Sequence, residues 1–212
     1  MTEPLFPTSY LPPIGYMALL ARCGHAAIEF CETFPKQTHR NRAEILTSNG
    51  ILRLSVPVVR TNGNHTLTRD ITVSYAERWN IQHIRAIESA YNATPYFLYL
   101  WDGLRDILMS HHDYLTDLNQ ATLRYLMKTL GIECRVEASD SFSQPGDSIT
   151  DYRNSFSHKP SSSAVSMPPY YQLWSERHGF CPNLSIIDLI FNIGPSESRR
   201  YLSSICHLPP LS

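Results

Sequence analysis

A short basic segment is the part of the sequence whose residue types best suit the binding of a charged ligand. It runs Lys36-Gln37-Thr38-His39-Arg40-Asn41-Arg42, and no acidic residue interrupts it. Lysine supplies a point charge, arginine supplies a planar fork of donors, and threonine and asparagine add short hydrogen-bonding groups. The segment therefore predicts a site for a phosphate, diphosphate or carboxylate, with ligand-binding residues Lys36, Thr38, Arg40, Asn41 and Arg42. The competing interpretation is a solvated edge strand whose charges prevent aggregation.

Two further side chains are candidates for catalysis. His83 lies four residues after Trp79 on a helical pattern, and because histidine titrates near neutral pH it is a possible general base. Asp188 interrupts an apolar run, together with Asn183 and Asn192. Buried polar groups need partners, so we expect Asp188 to orient His83 and the two asparagines to line a ligand pocket. The alternatives are a helix-packing histidine and ordinary helix capping.

Several common kinds of site are missing from the sequence. It contains no Gly-x-Ser-x-Gly elbow, Walker loop, Rossmann glycine fingerprint or zincin histidine pair. The five cysteines are an odd number without paired spacing, which predicts reduced thiols and neither a disulfide framework nor a metal site. The usual hydrolase, ATPase and dehydrogenase interpretations lose their support, and no cofactor is identified.

Length and charge limit the class of protein further. A chain of 212 residues with 42% hydrophobic residues suits one globular domain spanning 1–212. A net charge of −1 argues against binding of nucleic acid through the overall field. The first residues lack the features of a secretory signal, and no apolar run approaches the roughly 20 residues of a membrane helix. We therefore expect a cytoplasmic protein with no membrane span.

The elements that must position the basic segment are predicted as strands around it. The apolar pattern favours a helix from Ile14 to Ala21 and a strand from Ala26 to Phe34. Two more strands, Ala43 to Leu46 and Ile51 to Val59, flank Asn49-Gly50, a pair that suits a two-residue hairpin turn. The basic segment would thus lead from a strand-helix-strand unit into a β-hairpin.

A helical middle follows the hairpin. Ser74 and Glu77 fit a capping box that opens a helix from about Tyr75 to Tyr91. Thr94-Pro95 opens a second helix with an apolar stripe, and a third helix ends at Gly131.

The last third of the chain alternates order with a long loop. Ile132 to Val136 alternates like a strand, whereas residues 139–169 are rich in serine and proline and predict a loop near the site. Helices are expected at Tyr170 to His178 and Ser185 to Asn192, and Gly194-Pro195 should separate the latter from a last short helix. We predict a single-domain α/β protein with a mixed sheet, an N-terminal strand-helix-strand unit, a β-hairpin and a helical middle.

Ordered motifs along nearly the whole chain resemble the WbqC-like family. They are Tyr10-Leu11-Pro12-Pro13-Ile14-Gly15-Tyr16, Lys36 with Asn41-Arg42, Asn49-Gly50, Val56-Pro57-Val58, Trp79 with His83, Pro95-Tyr96-Phe97 and Leu130-Gly131-Ile132. The tail motifs Tyr170-Tyr171-Gln172 and Asn183 to Leu189 are similar to the version found in Bacteroidetes members. The chain departs from the family pattern at Thr8-Ser9, where the family usually has Gln-Pro.

This resemblance implies a part in making cell-surface polysaccharide, because the family is named for a gene in O-antigen clusters. It also implies Tyr10 and Gly15 as further ligand-binding residues. The leading hypothesis is a transferase acting on a nucleotide-linked or phosphorylated amino sugar, whose phosphate suits the basic segment. The alternative is a non-catalytic binding or scaffold protein of the same pathway. A nucleotidyltransferase-like mechanism lacks the paired histidines of that class near Tyr10 to Tyr16.

Overall fold

The computed structural model describes residues 3–144, 149–156 and 167–205. The strands are β1 (Glu3–Pro7), β2 (His25–Glu29), β3 (Arg42–Thr47), β4 (Gly50–Ser55), β5 (Val58–Val59), β6 (Thr72–Val73), β7 (Arg135–Ala138) and β8 (Ile149–Asp151). The helices are α1 (Ile14–Leu20), α2 (Trp79–Tyr91), α3 (Phe97–Met109), α4 (Leu115–Leu130), α5 (Ser175–His178) and α6 (Ile186–Ser204).

A parallel sheet in the order β7-β2-β1-β8 forms the centre of the fold. Phe6 of β1 packs its ring on Tyr16 of α1, with 5.1 Å between ring centroids, so α1 covers the face of the sheet that presents Phe6. Glu29 and Asp151 are the last residues of β2 and β8 and lie at the carboxyl edge. Ligands of open parallel sheets bind outside this edge.

The β-hairpin formed by β3 and β4 is a separate two-stranded sheet. Thr47 pairs with Gly50, so the turn consists of Ser48 and Asn49, one residue earlier than the predicted Asn49-Gly50 turn. Gly50 has a φ of +101°, a conformation that glycine adopts without steric cost. The hairpin is fixed to α2 by the Leu46 amide, which donates to the Tyr91 hydroxyl at 3.3 Å.

The helical middle is present, but its predicted first boundary is wrong. Helix α2 begins at Trp79, and its N-cap residue Arg78 makes no capping bond through its side chain. The proposed capping box does not open this helix: among the described residues the Ser74 hydroxyl accepts from the Ala76 amide alone, at 3.5 Å, and Ala76 lies before the helix. Helix α4 ends as predicted at Gly131, which has a left-handed φ of +62°.

The serine-rich stretch contains a strand that the loop prediction missed. Strand β8 has three residues and joins the parallel sheet beside β1, and Tyr152 directly after it is buried. Residues 145–148 and 157–166 of this stretch lie outside the described residues. The strand was not recognised because three residues show no periodicity.

Other boundaries shift while the architecture holds. Strand β2 ends at Glu29, well before the predicted Phe34, and α5 covers only the last four residues of the predicted 170–178 helix. Helix α6 is broken at Gly194, where φ is +80°, as the Gly194-Pro195 signal predicts. The single-domain α/β class is confirmed. No helix in the described residues is both long and apolar enough to cross a bilayer.

Candidate anion-binding site

No acidic residue interrupts the basic segment in the sequence, but an acidic side chain from another segment contacts it in the folded protein. Arg40 is 3% exposed and its guanidinium donates to both carboxylate oxygens of Glu32, at 2.6 and 2.9 Å. It also donates to the Arg153 carbonyl at 3.3 Å. Because this charge is neutralised by a buried ion pair, the prediction of Arg40 as a ligand contact is replaced by a positioning role.

Arg40 belongs to a larger group of charges at the carboxyl edge of the sheet. Arg153 donates to the Glu29 carboxylate at 3.1 Å and to Asp151 at 2.7 Å. Glu29 is fully buried, and its other oxygen accepts from the Ser139 hydroxyl and the Cys31 amide, each at 2.8 Å. We call Glu29, Glu32, Arg40, Asp151 and Arg153 the carboxyl-edge network. It ties the ends of β2, β7 and β8 to the basic segment.

Burial and the neighbouring guanidinium groups have opposing effects on the pKa values of the carboxyl groups in this network. Burial raises the pKa of Glu32, and the hydrogen bonds and charge of Arg40 offset this effect only in part. Burial also acts to raise the pKa of Asp151, but the hydrogen bonds and charge of Arg153 outweigh it, so that the pKa lies below its ordinary value. Two guanidinium groups thus hold three carboxylates in place. The network is a structural clamp.

Arg42 is the arginine of the segment that has no counter-charge among the described residues. Its Nε is buried and has no hydrogen-bond partner, and its guanidinium makes no ion pair with the residues that the structure describes. Arg42 stands opposite Ser55 in the hairpin register. A buried donor of a charged group normally has a partner, and the described chain supplies none to this Nε.

The remaining residues of the segment divide into two kinds. Lys36 is exposed and makes no hydrogen bond or ion pair with described residues. Thr38 accepts from the Arg40 amide at 3.4 Å, and the Asn41 side chain donates to the Val56 carbonyl at 2.9 Å. Thr38 and Asn41 therefore shape the turn that presents Arg42, while Lys36 remains available to a ligand.

The fold brings two of the predicted site residues, Tyr10 and His83, into direct contact. The Tyr10 hydroxyl lies 2.9 Å from the His83 Nδ1, and the Ser55 carbonyl forms a further hydrogen bond to the ring. Burial lowers the pKa of His83 to about 4, partly offset by that carbonyl. A neutral ring with one N–H serves both contacts if Tyr10 donates to Nδ1 and Nε2 donates to Ser55.

Trp79 completes the surroundings of this pair. Its ring packs edge-on against His83 at 5.1 Å, and its indole Nε1 is buried without a partner among the described residues. Ser55 links Arg42 to the His83 ring, because it stands opposite Arg42 in the hairpin and its carbonyl bonds to His83. We call Tyr10, Arg42, Trp79 and His83 the Arg42 site.

Asp188 does not orient His83, contrary to the prediction. Its carboxylate accepts from the Tyr91 hydroxyl at 2.8 Å, the Tyr170 hydroxyl at 2.5 Å and the Gln172 amide at 2.9 Å. These three hydrogen bonds anchor α6 and the segment before it to α2. Asp188 is therefore a structural member of the core and lies apart from the Tyr10–His83 contact.

The other residues predicted to line a pocket, Asn183 and Asn192, also make structural hydrogen bonds in the last part of the chain. Asn192 accepts from the Leu173 amide at 3.0 Å and donates to the Asp188 carbonyl at 2.7 Å. Asn183, with a φ of +54°, accepts from the Gly15 amide at 2.9 Å. These contacts tie α6 to the start of α1 and leave Gly15, Asn183 and Asn192 outside the Arg42 site.

Sequence reasoning missed the acidic half of the carboxyl-edge network. Glu29 could have been recognised as a polar residue ending an apolar strand. Asp151 and Arg153 could not, because β8 was not predicted.

The comparison with known families identifies the chain. A model of the WbqC-like protein family matches residues 8–158, which is more than two thirds of the sequence. The chain belongs to the WbqC-like family. The matched range includes the whole Arg42 site and the carboxyl-edge network, whereas Asp188 follows it.

One full-length relative has a similar sequence. The uncharacterized protein Rv1507c of Mycobacterium tuberculosis is 28% identical over 223 residues, which cover 92% of this chain and 94% of that protein. No solved structure matches the chain.

Proposed function

We propose that this WbqC-like protein acts in the synthesis of cell-surface polysaccharide of the O-antigen type, as a transferase on a nucleotide-linked or phosphorylated amino sugar. The name of the family supports the pathway. The Arg42 site supports the ligand class, because it offers donors and positive charge to an anion.

The unpartnered guanidinium of Arg42 is the observation that carries this proposal. Arg40 and Arg153 in the same part of the fold are neutralised by carboxylates, and Arg53 on the adjacent strand is paired with Glu44 at 2.7 Å. Of these four arginines, only Arg42 has no acid among the described residues. A phosphate oxygen would satisfy its Nε, and a charge-assisted bond of this kind is among the strong ones in proteins.

The roles of the neighbouring residues follow from their contacts. Lys36 supplies a second, exposed charge from the start of the segment, and the carboxyl-edge network holds the segment in place through Arg40. His83 is the base candidate linked to Arg42, because Ser55 stands opposite Arg42 in the hairpin and bonds to the His83 ring. Its Nδ1 is engaged by Tyr10, so a proton would have to be exchanged through that hydroxyl.

A non-catalytic binding protein of the same pathway is the second candidate. It is favoured by a specific observation: both ring nitrogens of His83 and both carboxylate oxygens of Asp188 are hydrogen-bonded to protein groups. A general base needs a free lone pair in the complex with its substrate. The two candidates share the anion site and differ in whether the bound sugar is changed.

Thermal denaturation of the full-length protein tests the shared part. Inorganic phosphate, nucleoside diphosphates, nucleotide-linked sugars and acyl-CoA are screened separately, because a ligand that binds only the folded state raises Tm. We expect a nucleotide-linked or phosphorylated sugar to raise Tm selectively. Arg42→Ala should weaken that binding by about 2 to 4 kcal/mol, since it removes a partly buried charged contact.

Arg53→Ala is the matched control, because it removes an exposed arginine from the same hairpin. Binding that survives Arg42→Ala unchanged, or that is lost equally in Arg53→Ala, contradicts the proposed site. Incubation of the bound sugar with acyl-CoA, followed by mass spectrometry, separates the two candidates. A sugar that gains mass supports the transferase, and a bound sugar recovered unchanged supports the binding protein.

A further inference from the structure

The outer edge of β7 carries backbone groups without partners in the described residues. The Arg135 amide donates to the Gly24 carbonyl at 3.0 Å and the Ser139 amide donates to the Ile28 carbonyl at 2.8 Å, so both residues face β2. Successive residues of a strand direct their backbone groups to opposite sides, and Val136 and Ala138 therefore face away from the sheet. In the described part of the chain no strand pairs with this side of β7.

An apolar groove runs beside these free groups. It has a volume of about 310 Å³ and lies between β7 and α4. Its apolar lining comes from Ile28, Leu123, Met127, Val136 and Ala138. Free backbone groups next to an apolar groove form a surface that fits an extended strand, which pairs its backbone and inserts a side chain.

The side chains of β7 show which strand fits best. Arg135 and Glu137 stand on either side of Val136 and point to the opposite face of the strand. If β7 of a second copy ran antiparallel, centred on Val136, then the two Val136 residues would exchange both of their backbone hydrogen bonds. In the same register Arg135 of each copy stands opposite the partner's Glu137. The strand is therefore complementary to itself in charge as well as in hydrogen bonding.

The groove and the charges are available for this pairing. The side chains of Arg135 and Glu137 are 77% and 48% exposed and are paired with each other within one copy. The other oxygen of Glu137 lies 3.2 Å from the half-exposed ring of His25 on β2, so one oxygen of Glu137 keeps this contact when the other turns to the partner. They can exchange this contact for one across the interface. The partner's Val136 would enter the groove beside Leu123 and Met127, where it gains apolar contacts.

We propose that two copies of this protein associate through β7, antiparallel about a two-fold axis centred at Val136. The pairing joins two four-stranded sheets into one of eight strands and removes an open sheet edge from each copy. The contact is isologous, so one surface supplies both sides. This inference does not depend on the ligand of the Arg42 site.

Light scattering after size-exclusion chromatography of the full-length protein tests the association. We expect twice the chain mass of 24.2 kDa at micromolar concentration. Val136→Pro should raise the dissociation constant at least tenfold while the circular dichroism stays unchanged, because the lost amide donor faces outward and edge strands accept proline. Arg200→Glu is the control, since it alters an exposed ion pair on α6 and should leave the dimer intact.

A charge exchange tests the register. Arg135→Glu and Glu137→Arg should each be monomeric, because like charges then face one another across the axis. Mixing the two variants in equal amounts should restore a dimer, because each glutamate of one variant then faces an arginine of the other. A folded wild-type protein that is monomeric at high micromolar concentration overturns the proposal, as does a dimer that Val136→Pro leaves intact. Two monomeric variants that stay monomeric when mixed overturn the register.

Discussion

Replacement of Asp188 by alanine is expected to destabilise the protein much more than replacement by asparagine. Asp188 is 1% exposed, and its carboxylate accepts hydrogen bonds from Tyr91, Tyr170 and Gln172. Alanine leaves the Tyr91 and Tyr170 hydroxyls without an acceptor, each at a cost of about 1 to 3 kcal/mol. The Gln172 amide keeps the Cys181 carbonyl as an acceptor. The two costs arise in one network, so we expect a total loss of about 2 to 5 kcal/mol in the free energy of unfolding.

Asparagine preserves the shape of the side chain and one acceptor oxygen. Its amide nitrogen can donate to a tyrosine hydroxyl, because a hydroxyl both donates and accepts. The expected loss for Asp188→Asn is about 1 kcal/mol. A role of Asp188 in catalysis would make the two variants equally inactive and would predict no such difference in stability.

The pH dependence gives a second measure of the same site. Burial raises the pKa of Asp188, although hydrogen bonds from Tyr170, Tyr91 and Gln172 act against it. The folded state therefore binds a proton at a pH at which the unfolded state does not, and the contribution of Asp188 to stability increases as pH falls through the folded pKa. Asparagine lacks this titration. The stability of the wild type relative to Asp188→Asn should rise as pH decreases towards the ordinary aspartate pKa.

Urea unfolding followed by tryptophan fluorescence measures these differences by linear extrapolation. The wild type and both variants are compared at pH 8 and at pH 4, close to the ordinary aspartate pKa of 3.8. The reasoning is refuted if alanine costs no more than asparagine, or if the wild type and Asp188→Asn keep a constant difference across this range.

Three further predictions concern stability and use the same unfolding assay. Gly194→Ala should cost about 2 kcal/mol or more, because its φ is +80° and an added Cβ would lie 2.6 Å from the Tyr96 ring. Gly24→Ala is the control, since Gly24 has open space around it, and should change stability by less than about 0.5 kcal/mol. Equal effects of the two substitutions would contradict this account. Arg153→Met should cost about 3 to 5 kcal/mol because it removes the counter-charge of the fully buried Glu29 carboxylate. Arg53→Met removes a half-exposed ion pair and should cost under about 1 kcal/mol. A mild Arg153 variant would show that the network is not needed. The pKa of His83 is lowered to about 4 in the folded protein, so the unfolded state binds the proton first as the pH falls. The free energy of unfolding should therefore decrease as the pH falls from about 6.5 to 4. His83→Gln should show a shallower decline, and identical pH profiles of the two proteins would refute the assignment.

The elements with strong local signals were predictable from sequence. Gly131 ends α4 and Gly194 breaks α6, because glycine alone adopts a left-handed φ there without strain. The buried face of α2 was also predictable from its helical spacing. The start of α2 was not, because a capping motif close to a helix is no proof that the chain uses it.

The amino-acid sequence is enough to predict the α/β class, the hairpin next to the basic segment and the family to which the chain belongs. These depend on local periodicity and on ordered motifs, which are present before the chain folds. It also placed Tyr10, Arg42 and His83 among the candidate site residues.

The free charges of the basic segment can be identified only in the folded protein, because the partners of the paired charges come from other segments of the chain. Glu32 comes to Arg40 from the end of β2, and Asp151 and Glu29 come to Arg153 from two strands far apart in sequence. Arg42 received no such partner from the described residues. Ion pairing depends on distances between segments that local sequence does not encode, so the same run of positive residues contains both a structural clamp and a candidate ligand contact.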